Sequence, residues 1–391
     1  MSVKTKIVFY TQVYFLDAAI EYVKLLSGQD FEVHVLIELS PNQLKANILD
    51  INTELRSYQA LTSFQEVAED WNLQFLIPYF KRCASVHFCV YASKGLKSTF
   101  KVSSSIGDFI NKTAPDFIHL DDFSQRFLFH LPLFWRRRKS MRVNLHDPKT
   151  HTGEFQLRRE LYRKIWFAII PHFIVFSEYS KSILAPQLSK SKKITSLRLM
   201  PYTVYTSFLD KKTSESPKNY ISFVGRISPY KGIEQFIEAI PKVLAVFPDQ
   251  QFYIGGKTIT GYTPTFLNTT QKNITIKNAF LTNSNLAAIV NDSCLLVCPY
   301  KDATQSGVIM SAYALECPVL VTNTGGLPEY VQEGKTGIIV PQNSAEQIAM
   351  GIIAFLEKRA AKKGVDQLSK EDFMLDFESH NKKYFNTLYK A

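Results

Sequence analysis

The chain has 391 residues, 46% of them hydrophobic and 21% charged, and its 46 Lys and Arg against 35 Asp and Glu give a formal charge of +11. That balance excludes a disordered chain, is long enough for two domains with a core each, and points to anionic partners: nucleotide phosphates, anionic lipid or nucleic acid. Five cysteines, an odd number without C-x-x-C spacing, set aside a disulfide scaffold and favour a reducing, cytoplasmic setting.

The opening MSVKTKIVFY reads as the start of a strand over 6–10, not as a leader. Helical apolar spacing follows over 18–26 and a second strand over 31–37, which makes a βαβ unit and implies a parallel sheet. Further strands are predicted at 116–120, 140–145 and 172–176. The apolar run over 165–176 is broken by Pro171 and is too short to span a bilayer. The Ser-, Thr-, Lys- and Pro-rich stretch 199–219 reads as a linker. A second βα series is predicted, with strands at 220–224, 251–254, 274–276, 294–298, 318–322 and 337–340. Two doubly wound domains in tandem follow, over 1–200 and 201–370. The segment 371–391 carries aromatic residues at helical spacing and reads as a helix returning to the first domain.

Two segments ending in Gly-Lys-Thr, 256–258 and 334–336, mimic the end of a phosphate-binding P-loop. The Gly that the motif needs five residues earlier is replaced by Gln251 and Glu329, so neither is one. No Asp-x-Asp occurs, and Asp121-Asp122 lacks that spacing, so no metal site for a diphosphate is expected. The segment YISFVGRISPYKG ends a strand in Gly225 and Arg226 and leads to Lys231. Cations at the carboxyl end of a parallel strand sit where open α/β sheets bind ligands, and Arg offers a diphosphate its bidentate fork. In PYKDATQSGVIMSAYALECPVLVTNTGGLPEYV, a helix starts near Ser306-Gly307. Its free N–H groups at Ser306, Gly307 and Val308 make an anion site. A glycine turn follows at Gly325-Gly326.

FVGRISPYKG and SGVIMSAYALECPVLVTNTGGLPEYV resemble the donor-binding half of the retaining GT4-type (group 1) glycosyltransferases, over about 220–345. NLHDPKTHTGE and IVFSEYSKSIL extend the resemblance more loosely into the first half. It implies a GT-B fold: two Rossmann-like domains facing across a cleft. It also implies metal-independent, retaining hexosyl transfer from a nucleotide diphosphate sugar held by the second domain. The family's Glu-x7-Glu pair is missing; alignment on Gly307 puts Thr304 and Ala312 in its place. Thr304 and Gln305 remain as hydrogen-bonding groups for the sugar, and Asn278 and Phe280 are expected near the base. The resemblance carries to His146 a place beside the donor sugar and phosphate, with Arg226 and Lys231 stabilising the leaving diphosphate. Acceptor contacts are expected from Gln12, Tyr14 and Phe15 after the first strand, and from His151.

The stretches 127–142 and 157–167 mix Trp135 and other aromatics with runs of Arg and Lys. Rings at headgroup depth with cations beside them suit peripheral attachment to an anionic membrane and a glycan or lipid-linked acceptor, as in envelope polysaccharide synthesis. No nucleic-acid module or RNP-like motif appears. Two other classes share the fold: a non-catalytic partner of an active transferase, which the missing carboxylates favour, and a sugar epimerase or phosphorylase.

Overall fold

The computed structural model describes residues 4–93, 95–149, 157–209, 218–264, 272–361 and 370–389. Eight strands form the first sheet: β1 (Thr5–Gln12), β2 (Phe31–Leu39), β3 (Leu61–Ser63), β4 (Ser85–Val90), β5 (Phe117–Asp121), β6 (Met141–Asn144), β7 (His172–Val175) and β8 (Lys193–Ser196). Their order is β3-β4-β2-β1-β5-β6-β7-β8, parallel except for the β3–β4 pair. The second sheet has β9 (Tyr220–Val224), β10 (Gln251–Gly255), β11 (Ile274–Lys277), β12 (Ser293–Cys298), β13 (Val319–Thr322) and β14 (Gly337–Val340), all parallel, in the order β11-β10-β9-β12-β13-β14. Strands covered on both faces read as continuous apolar runs; β12, SCLLVC, is buried along its whole length.

Each sheet reverses its strand order once on either side of its first strand, at β1/β5 and at β9/β12. Ligand crevices of doubly wound sheets lie outside the carboxyl ends of strands at such switch points. The loop leaving β6 meets the loop leaving β12, through Thr304 with Asp147 and Gln305 with His146.

The helix Lys370–Leu388 spans both units. Tyr389 just beyond it bonds Tyr22 (OH to OH, 3.0 Å), Arg142 Nε donates to the Leu388 carbonyl at 3.0 Å, and Phe377 stacks on Tyr313 of the second domain. The helix therefore returns to the first domain as expected.

Several elements were not foreseen: β3, β4, β8 and the helix Leu96–Thr113. The stretch read as a linker is packed over its first half. A 3-10 turn, Thr203–Phe208, buries Thr203, Val204 and Tyr205, and Tyr79 and Thr203 bond through their hydroxyls at 2.7 Å. Its polar residues there are hydrogen-bonded between the domains instead of solvated.

Candidate active site

At the end of β9, Gly225 (φ +112°) lies against Gly256 (φ +152°), and a Cβ on Gly256 would overlap the Gly225 carbonyl oxygen. Only glycine tolerates both the contact and the dihedral. This back-to-back pair forms one wall of a cavity of about 580 Å³, which opens between the domains. Arg226, Lys257, Thr258, Phe280 and Leu281 line it from the second domain, with Tyr205 of the connecting turn, and Asn47 lines it from the first. The Gly-Lys-Thr at 256–258 is thus no P-loop, yet it walls the cavity. Asn278 acts on the cavity indirectly: its Oδ1 accepts from the Thr258 amide and hydroxyl at 3.0 and 2.9 Å. Phe280 is 69% exposed on the cavity wall.

Lys231 lies deeper than Arg226. Its Nζ donates to Tyr300 OH at 2.7 Å and sits 4.1 Å from the centre of that ring, and Tyr300 OH lies 3.4 Å from Ser306 Oγ. The charge is thereby aimed at the start of the helix Gly307–Ala314, where Ser306 makes no side-chain cap. The first N–H groups of that helix carry the positive end of its dipole. Val308 packs beside Gly225, so this helix start adjoins the cavity wall.

Ala312, placed by the alignment at the second missing Glu, is fully buried. Its neighbour Ser311 is also buried, and its hydroxyl donates to the Gly307 carbonyl oxygen at 3.1 Å.

Across the cleft, His146 is 4% exposed. Its ring stacks on Phe15 (centroids 4.1 Å apart, 3° between planes), and Nε2 bonds Asp121 Oδ1 at 2.9 Å. Asp121 also accepts from Thr11 Oγ1 at 2.7 Å and Asn144 Nδ2 at 2.9 Å. Burial works against charge on His146, but the Asp121 carboxylate, with Asp122 and Asp147 nearby, holds its pKa above the ordinary value. Burial would raise Asp121, yet His146 and the bonds from Asn144 and Thr11 keep it below the ordinary range. The arrangement is an imidazole oriented by a buried carboxylate that favours its charged form. On the other ring nitrogen, Gln305 Nε2 approaches Nδ1 at 3.3 Å, while Gln305 Oε1 is buried without a partner among the described residues. Turning that amide over lets Oε1 accept from a protonated Nδ1 and points its NH2 away from it.

The domains are tied around this point. Thr304 Oγ1 donates to Asp147 Oδ1 at 2.7 Å, and Ser177 Oγ donates to the Thr304 carbonyl at 3.0 Å. Glu329 accepts from the Glu178 and Tyr179 amides, both at 2.8 Å, and from Arg198 Nη1 at 2.6 Å. The space beside Gly325 and Gly326 is filled by protein. Gly325 has φ +54°, and a Cβ on it would overlap the Ala303 carbonyl oxygen; one on Gly326 would overlap that of Thr304. Close packing of the 303–306 loop is what these two glycines supply.

Of the expected acceptor residues, Phe15 meets His146, Tyr14 is half exposed with its carbonyl bonded to Asn47, and Gln12 ends β1 half-buried. His151 lies outside the described residues. Sequence reading missed Asp121, Asp147, Asn47, Ser177 and Tyr205. The one signal available was Asp121 at the end of a strand neighbouring β1.

The sequence profile of "Glycosyl transferases group 1" matches residues 206–371. A D-inositol 3-phosphate glycosyltransferase of Corynebacterium glutamicum is 28% identical over 145 residues, 35% of this chain and 35% of that protein, so the chain spans about a third of that relative's length. Among solved structures, a glycosyltransferase from Rickettsia africae superposes with a TM-score of 0.62 at 15% identity, covering 99% of each chain. Anabaena HepE in complex with UDP and glucose superposes with a TM-score of 0.57 at 14% identity, covering 99% of this chain and 96% of that one. With that architecture along its length the chain has the GT-B fold, and over residues 206–371 its second domain is similar to the group 1 glycosyl transferases.

Proposed function

We propose that the chain is a retaining glycosyltransferase that moves a hexosyl unit from a nucleoside diphosphate sugar to a glycan or lipid-linked acceptor, at the inner face of the cell membrane in envelope polysaccharide synthesis. The observation that carries the reading is the meeting of two switch points. The second domain contributes a cavity with Arg226, a paired-glycine wall and an uncapped helix start, and the first contributes His146 on its carboxylate. Anabaena HepE, solved with UDP and glucose, shares this architecture.

The base and ribose would occupy the wall of Phe280, Leu281 and Thr258. The diphosphate would lie toward Arg226, Lys231 and the amides of Gly307 and Val308, and these groups would stabilise the leaving phosphate without a metal ion. His146, with its raised pKa, would place positive charge beside the sugar and phosphate as the glycosidic bond breaks. No side chain need act as nucleophile, since the departing phosphate can take the acceptor proton on the same face.

The test is a panel of nucleotide sugars incubated with and without lipid-phosphate and oligosaccharide acceptors, followed by product NMR. Release of the nucleoside diphosphate with an anomeric configuration unchanged from the donor supports the reading. Inversion overturns retention. Binding of a donor without turnover or hydrolysis under any condition favours a non-catalytic partner, which the engagement of Thr304 by Asp147 would suit.

A further inference from the structure

The helix Leu96–Thr113, the turn Gln125–His130, and the helices Leu131–Arg137 and Leu157–Ile169 cover one face of the first sheet. They share a core that includes Val102, Ile106, Phe127, Phe134 and Trp166. Their inner aromatics are thus accounted for. Their outer face is not: Leu96 (69% exposed), Phe100 (62%), Phe129 (37%), Trp135 (54%), Leu161 (56%) and Ile165 (42%) all point outward. Phe100 and Phe129 meet edge to face at 5.3 Å, and Leu161 and Ile165 stand one helical turn apart. Exposed apolar groups this large and this clustered mark an interaction surface.

Charge identifies the partner. The segments 95–101, 125–139 and 161–168 contain no Asp or Glu, while Lys97, Lys101, Arg136, Lys139 and Lys164 are exposed among the apolar groups. Lysine is depleted at protein interfaces, whereas aromatic and aliphatic wedges ringed by Lys and Arg suit a bilayer with anionic headgroups. No described helix is long and apolar enough to cross a membrane, so contact would be with the surface.

We propose that this helical layer docks the first domain onto an anionic bilayer, with Leu96, Phe100, Phe129 and Trp135 entering the headgroup region. The starts of the Leu96 helix and the Gln125 turn leave the carboxyl ends of β4 and β5, the sheet edge that also carries the Gln12–Phe15 loop. Docking therefore brings the membrane to the side where the proposed lipid-linked acceptor would enter. The docking itself depends on the surface and not on turnover.

Co-sedimentation of the full chain with vesicles tests it. The chain is expected to pellet with vesicles of phosphatidylcholine plus about one-third phosphatidylglycerol, to stay in solution with phosphatidylcholine alone, and to be released by high salt. Replacing Lys97, Lys101 and Lys139 together with Gln should weaken the partition on the order of a hundredfold. Phe100→Ser with Trp135→Ser should abolish it, with unchanged thermal unfolding as the control for folding. Equal partition onto both vesicles, or onto neither, overturns the proposal. So does concentration-dependent self-association by light scattering that Phe100→Ser removes, which would make the face a protein interface.

Discussion

Thr304 and Asp147 meet across the two domains, the Thr304 hydroxyl donating to Asp147 Oδ1 at 2.7 Å. Thr304 stands where the alignment places the first missing carboxylate, so the family's residue there would set two like charges face to face. We predict that Thr304→Glu lowers the melting temperature and donor affinity, because apposed like charges at an interface cost on the order of several kcal/mol. Adding Asp147→Asn should recover most of the loss. A double-mutant cycle by thermal unfolding checks the coupling, and additive losses would show that the two residues act separately.

Asp121 favours the charged form of His146, and shape and charge can be separated by substitution. His146→Gln can keep a hydrogen bond to Asp121 and should fold, yet lower kcat by roughly 10²–10³-fold, the effect of removing one transition-state donor. His146→Ala leaves the buried Asp121 without its cation and should also cost about 3–5 kcal/mol of stability. Steady-state kinetics and denaturant unfolding on both variants give the comparison.

The same pair sets a pH window. A His whose folded pKa is raised contributes stability that is complete below its unfolded pKa and is lost as pH rises through the folded value. An Asp whose folded pKa is depressed contributes stability above its unfolded pKa that is lost as pH falls through the folded value. The wild type should therefore be stabilised relative to His146→Gln between those limits and converge with it at both extremes. Unfolding free energy measured against pH checks this.

Asp17 behaves in the opposite sense. Burial raises its pKa to about 6, against hydrogen bonds from Asn47 and the Ala18 amide. Its folded pKa lies above the unfolded one, so stability falls as pH rises from the unfolded value to about 6, and the loss is constant above that. Asp17→Asn should raise the melting temperature at pH 8 and leave it nearly unchanged at pH 4.

Much of the fold was legible because buried parallel strands are apolar runs, as in YISFV and SCLLVC, and because glycine and cation motifs punctuate their ends. β4 was not, since SVHFCV carries a His and a Ser and is interrupted by no signature loop. Of the site, Arg226, Gly225, Phe280 and His146 were visible as residues with a chemistry. Gly256 to Thr258 were visible only as a failed P-loop, because what places them is the contact of one glycine with another thirty-one positions earlier. Asp147, Ser177 and Tyr205 act through pairings between the domains, and nothing in the local pattern announces a partner so far along the chain.

The central claim is that the cavity beside Gly225 and Arg226 seats a nucleoside diphosphate sugar, and thermal shift with such donors tests it most directly. Wild type should be stabilised by at least one nucleotide sugar, increasingly as its concentration exceeds Kd. Arg226→Ala should weaken that binding by roughly ten- to a hundredfold through loss of charge-assisted hydrogen bonds, and Gly256→Ala should abolish it. Stabilisation that persists undiminished in both variants, or its absence with every donor, would contradict the account.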